Sequence, residues 1–128
     1  MENYKHQLNH IKAFVFDVDG VLTNGQLLIT EKGELLRSMN VKDGFALKNA
    51  LQKGYKICII SGGNNPGVEK RLADLGVHKI FMNVKDKMTC LDEFVSGENL
   101  DLEHVAFMGD DLPDYHVMQK VGLAVAPQ

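Results

Sequence analysis

Short, nearly continuous apolar runs recur along the chain at residues 13–16, 57–60, 79–82, 105–109 and 123–126. Their shortness and their β-branched and aromatic content predict strands buried on both faces of a parallel sheet. The segments between them carry helical spacing. Phe45, Leu47, Ala50 and Leu51 space one helix over 44–53; Val68, Leu72 and Leu75 space a second after Pro66; Met88, Leu91, Phe94 and Val95 space a third after Asp86. Gly54, Gly76 and Gly97 stand where glycines close helices. Strands alternating with helices imply right-handed crossovers and a three-layer α/β sandwich with a mostly parallel sheet.

One region breaks the alternation. Residues 25–41 hold two extended runs separated by Glu31, Lys32 and Gly33, the pattern of a β-hairpin with glycine in its turn. This flap follows the first strand, so it is expected to stand over the carboxyl edge of the sheet. Leu28, Ile29, Leu35, Leu36 and Met39 either join the core or leave an apolar hairpin exposed, for which oligomerisation is a remedy.

A chain of 128 residues with 45% apolar and 24% charged positions suits one folded domain, taken as 1–128. A net charge of −3 gives no electrostatic case for nucleic acid or an anionic membrane surface. No apolar run is long enough to span a bilayer, and the opening MENYKHQLNH lacks the apolar core of a signal peptide, so a cytoplasmic setting is expected. Cys58 lies in an apolar run and reads as a buried hydrophobe, and neither it nor Cys90 belongs to a metal or disulfide spacing.

The polar residues gather at the ends of the expected strands, where open parallel sheets bind ligands. The first strand ends in Asp17-Val18-Asp19-Gly20, the second in Ser61-Gly62-Gly63-Asn64-Asn65, and the fourth in Gly109-Asp110-Asp111, with Asp114 on the next turn. Lys87 opens the helix after the third strand. So many carboxylates at one edge call for a cation, and all-oxygen donors suit Mg²⁺. Ser61 and the amides after it form an anion cradle, with Asn65 as N-cap and Pro66 at the first helical position. Lys87 adds positive charge, although Lys85 is close enough to take its place. Together these groups describe a phosphoryl-transfer site. Asp17 is then the nucleophile that becomes an aspartyl phosphate, and Asp19 the general acid and base. Asp111 and Asp114 support the lysine or the metal's waters, or begin a helix. Asp43 caps the helix at 44–53 or touches substrate. Thr23, Asn64 and Arg71 are further candidate contacts.

These residues stand in four ordered motifs: Asp17-Val18-Asp19-Gly20-Val21-Leu22-Thr23, Ser61-Gly62, Lys87, and Gly109-Asp110-Asp111-Leu112-Pro113-Asp114. The set resembles the haloacid dehalogenase superfamily of phosphatases. Within it, DVDGVLTNG, the hairpin, VKDG and GDDLPDYHVMQKVGLAVA resemble the capless branch of 3-deoxy-D-manno-octulosonate 8-phosphate phosphatases and related nine-carbon sugar-acid phosphatases. The resemblance implies a Rossmann-like fold without a cap domain. It also implies Mg²⁺ held by Asp17, Asp110 and the backbone carbonyl of Asp19, and a small phosphorylated sugar acid as substrate. A homotetramer with its hairpins packed together and a place in bacterial lipopolysaccharide synthesis follow from it too. Gly63-Asn64-Asn65 departs from the Arg or Glu that such phosphatases often carry there, which leaves the sugar open. The sequence ends at Gln128, where the resemblance implies a further helix and tail, so one sheet face is expected to have less cover.

Three rival classes share parts of this pattern. A receiver domain keeps its phospho-aspartate as a signal and has no use for an acid two residues later. A partner-binding module without efficient turnover does not need four intact motifs. A dehalogenase gains nothing from Asp19 or the metal cluster.

Overall fold

A computed structural model describes residues 9–109 and 116–125. Five strands, β1 (Ala13–Phe16), β4 (Lys56–Ile60), β5 (Lys79–Phe81), β6 (Val105–Met108) and β7 (Leu123–Val125), form one parallel sheet in the order β5-β4-β1-β6-β7. β2 (Leu28–Ile29) and β3 (Leu35–Leu36) form a separate antiparallel hairpin. The helices are α1 (Val41–Gln52), α2 (Pro66–Asp74) and α3 (Lys87–Gly97). Among the described residues no cap domain interrupts this order, and no helix is long and apolar enough to cross a membrane.

β1 is the central strand because its residues serve both faces. Ala13 and Val15 join Cys58, Ile60 and Phe107 under Leu91, Phe94 and Val95 of α3. Phe14 and Phe16 lean against the opposite cluster, where Leu47 of α1 and Val68 and Leu72 of α2 cover Ile57 and Ile59. Helices on both faces of one sheet make the expected three layers. The chain steps outward on one side of β1 to reach β4 and β5, then returns along α3 to β6 on the other side. The carboxyl ends of β1 and β6 thus flank the reversal, where a crevice opens in such sheets.

The expected strands stand, with their ends moved by a residue or so, and Ala126 lies outside the described residues. The helix expected over 44–53 begins at Val41 instead. Asn40, and not Asp43, is its cap: the Asn40 side chain accepts from the Lys42 amide at 2.8 Å, and Asp43 falls within the first turn. Phe45 does not share the buried stripe of α1; it is 76% exposed, as is Val41 at 77%. Gly54 and Gly76 follow their helices at positive φ, which a side chain would resist. Gly97 lies inside α3, and Asn99 takes the left-handed position in its place. Cys58 is buried as expected, and burial pushes its thiol far above the ordinary range.

The hairpin turns through Thr30–Glu34, with the Thr30 amide donating to the Glu34 carbonyl and the Gly33 amide to the Thr30 carbonyl. An antiparallel bridge between Thr23 and Met39 ties its base to the body. Met39 packs on the core, whereas Leu27, Leu28, Ile29, Leu35 and Leu36 are exposed. The apolar hairpin is therefore surface and not core in this chain.

Gly122 precedes β7 and donates its amide to the carbonyls of Leu102 and Val105. The space its Cβ would take is filled by the Glu103 backbone. Gly122→Ala therefore has to push two backbone segments apart. It is expected to lower stability by at least about 1–3 kcal/mol, the usual cost of overpacking, read from the urea unfolding midpoint.

Candidate active site

The site begins where β1 leaves the sheet. The Asp17 amide still donates to the Met108 carbonyl of β6, so the first residue past β1 is held in line with it. The Asp17 side chain is buried. One of its oxygens accepts from the Val18 amide at 2.8 Å, and the other lies 3.3 Å from Lys87 Nζ. The chain then coils tightly: the Val18 carbonyl accepts from the amides of Val21, Leu22 and Thr23. Val18 and Leu22 bury their side chains in the core beside α1 and α2. That anchoring carries Asp19 out over the sheet edge, where its side chain is 40% exposed.

Ser61 follows β4 directly and is buried. Its amide donates to the Phe81 carbonyl, and its carbonyl accepts from the Val84 amide. Its hydroxyl accepts from the Gly63 amide at 3.2 Å, and the Gly63 carbonyl accepts from Asn83. The loop after β4 is thus stitched to the loop after β5. Pro66 takes the first position of α2 as expected, but Asn65 makes no side-chain cap bond there. Its side-chain oxygen accepts from Arg37 Nη1 instead.

Lys87 opens α3 and is buried. It is the lysine that meets Asp17, while Lys85 stays exposed at the rim. Asp86 caps the helix, accepting from the Met88 amide at 3.1 Å and from the Thr89 hydroxyl at 2.8 Å. Asp17, Asp19, Ser61, Gly62, Gly63, Lys85 and Lys87 all line one cavity of about 260 Å³. Asp110, Asp111 and Asp114 lie outside the described residues.

Arg37 was not anticipated from the sequence. It sits just past β3, and its Nε lies 2.8 Å from Asp19 Oδ1. A single cation in the apolar run of the hairpin was the available signal. Thr23, read as a substrate contact, is buried and turns its hydroxyl to Asp19 Oδ1 at 3.4 Å. Arg71 is exposed and lines a neighbouring cavity of about 490 Å³ with Arg37 and Asn65. The two acids are therefore each offset by their own cation, Asp17 by Lys87 and Asp19 by Arg37. For a hard cation this cavity offers oxygen-bearing side chains, those of Asp17, Asp19 and Ser61, a chemistry that suits Mg²⁺.

No family model matches the chain. It is 32% identical over 122 residues to the 3-deoxy-D-manno-octulosonate 8-phosphate phosphatase of Haemophilus influenzae, covering 95% of this chain and 68% of that protein. The chain belongs to that phosphatase family, within the haloacid dehalogenase superfamily. The family member of Escherichia coli K12 is 37% identical over 117 residues; the match covers 91% of this chain and spans 62% of that protein's length. Among solved family structures, that from Moraxella catarrhalis, in complex with magnesium, phosphate and the Kdo sugar acid, superposes with a TM-score of 0.90. It is 33% identical, and the match covers 94% of this chain and 70% of that one. The structure from Yersinia pestis gives a TM-score of 0.91 at 32% identity, over 94% of this chain and 65% of that one.

The cap of α3 bears on the site because it fixes where Lys87 begins. Hydrogen bonds from Thr89, through its side chain and then its backbone, hold the Asp86 carboxyl below its ordinary 3.8. Because the folded value is depressed, Asp86 contributes stability that is fully present above 3.8 and is lost as pH falls through the lower folded value. The gap in urea midpoint between the unmodified chain and Asp86→Ala is expected to be widest at neutral pH and to narrow as pH falls below 3.8.

Proposed function

We propose that this chain is an Mg²⁺-dependent phosphomonoesterase that hydrolyses a small sugar-acid phosphate, 3-deoxy-D-manno-octulosonate 8-phosphate or a nine-carbon relative. The observation that carries this reading is the convergence of Asp17, Asp19, Ser61 and Lys87 on one small cavity at the reversal of the sheet. The magnesium, phosphate and sugar acid in the Moraxella relative support it.

The phosphoryl group enters between the Ser61–Gly63 loop and Lys87, whose hydroxyl, amides and ammonium receive its oxygens. Asp17, held by the Val18 amide, attacks phosphorus in line with the departing sugar oxygen. Asp19 gives that oxygen a proton as the P–O bond breaks, which leaves an aspartyl phosphate on Asp17 and a free sugar hydroxyl. Asp19 then takes a proton from water, which attacks phosphorus and releases inorganic phosphate and the Asp17 carboxylate. Asp17, the Asp19 carbonyl and Asp110 would hold the Mg²⁺, which would supply positive charge to offset the acids and the phosphoryl oxygens.

The exposed Leu27, Leu28, Ile29, Leu35 and Leu36 support a homotetramer whose hairpins pack against one another. The substrate class supports a cytoplasmic role in lipopolysaccharide synthesis.

Phosphate release from 3-deoxy-D-manno-octulosonate 8-phosphate is the direct test. Release is expected to require Mg²⁺ and to fall to background in Asp17→Asn. Asp19→Asn is expected to lose about 10²–10⁴-fold in kcat, the usual worth of general acid–base catalysis. Release that survives chelation or Asp17→Asn would contradict the reading.

A further inference from the structure

We propose that Arg37 is a positioning residue for Asp19, so that the hairpin takes part in turnover. The inference rests on the reading of Asp19 as general acid and base.

The first observation is the burial of Arg37 against its surroundings. Leu35 and Leu36 before it and Ser38 after it are exposed, yet the Arg37 side chain is only 12% exposed. The chain turns its one hairpin arginine inward. Nε donates to Asp19 Oδ1, and Nη1 donates to Asn65 Oδ1. The guanidinium is planar, so two partners on two loops fix both its place and its tilt.

The second observation is what Asn65 forgoes. It occupies the N-cap position of α2, where an asparagine side chain ordinarily accepts from a helix amide. It makes no such bond, and its amide oxygen serves Arg37. Its Nδ2 is buried with no hydrogen-bond partner among the described residues. The reverse amide orientation would set a donor against a donor, so Arg37 dictates this one. A missing cap and an unpaired amide are two local costs at one residue, and both follow from holding Arg37. Departures of this kind from local preference are characteristic of functional sites.

The third observation is which Asp19 oxygen is held. Oδ1 receives Arg37 and the Thr23 hydroxyl. Oδ2 faces the cradle: a methyl group at Gly63 would sit 3.6 Å from Asp19 Oδ2 and 3.7 Å from Ser61 Oγ. One oxygen is anchored to the hairpin and the other is presented to the phosphoryl pocket. An aspartate that is 40% exposed, without such an anchor, would sample several rotamers. Arg37 thus sets the geometry of proton transfer without touching the reacting atoms.

The test compares the unmodified chain with Arg37→Met and Arg37→Lys on a small aryl phosphate and on the sugar-acid phosphate. Arg37→Met is expected to lose about 10–100-fold in kcat with both substrates, as misplacement of a reacting group does, with KM changed by less than about twofold. Arg37→Lys, which keeps the charge but not the fork, is expected to recover part of the loss. A rise in KM confined to the sugar acid, at unchanged kcat, would overturn the inference and make Arg37 a substrate contact. Unchanged kinetics would overturn it as well. The Arg37 Nε–H resonance gives a readout independent of turnover. It is expected to move in Asp19→Asn, and a resonance that does not move would overturn the inference. Absence of turnover by the unmodified chain with either substrate would overturn the phosphatase reading instead. The resonance alone would then decide whether Arg37 holds Asp19.

Discussion

A carboxylate buried at the end of a central strand has to be offset, and in this chain the offset comes from Lys87. The two groups are 3.3 Å apart and both side chains are under 10% exposed. Removing one partner of such a pair costs about 3–5 kcal/mol, because the other charge is left in a medium that cannot solvate it. The requirement reaches far into the fold. α3 must begin over the carboxyl end of β1, so its body packs on the Ala13 and Val15 face of the sheet through Leu91, Phe94 and Val95. The loop before it must turn sharply, and Asn83 adopts a left-handed backbone with its amide bound to the Gly63 carbonyl. The crossover from β5 to β6 then runs along this face, which creates the reversal beside β1.

The second acid is handled differently. Asp19 stands at the rim, and its cation comes from the hairpin. The chain therefore separates two duties that a single acidic pair would confuse. The inner carboxylate is locked by the sheet and a helix start. The outer one is held by a segment tied to the body at the Thr23–Met39 bridge, with its apolar tip exposed. In the proposed reaction the inner acid must meet phosphorus at a fixed angle, and the outer acid must exchange protons twice in each cycle. The two anchorings match those needs.

Much of this was legible in the sequence, because it depends on local pattern. Strands buried on both faces read as apolar runs, and the residues that end them are the polar ones. Asp17, Ser61 and Lys87 fall at those ends and meet at one cavity. What failed depends on tertiary contact. The spacing starts α1 three residues late because Arg37–Val41 continues an extended pattern, and the capping role of Asn40 shows only once the chain turns. Phe45 fits the helical period yet faces outward. Asn65 looks like a helix cap, and a partner 28 positions earlier in the chain claims its oxygen. Arg37 meets Asp19 across 18 positions, a separation that no periodicity encodes.

In the proposed reaction Asp17 carries the phosphoryl group. Acid-quenching the chain during turnover and reducing it with borohydride converts an aspartyl phosphate to homoserine, which peptide mass spectrometry locates. Homoserine is expected at position 17, with an intact aspartate at position 19. Homoserine at position 19, or none anywhere while phosphate is still released, would contradict it.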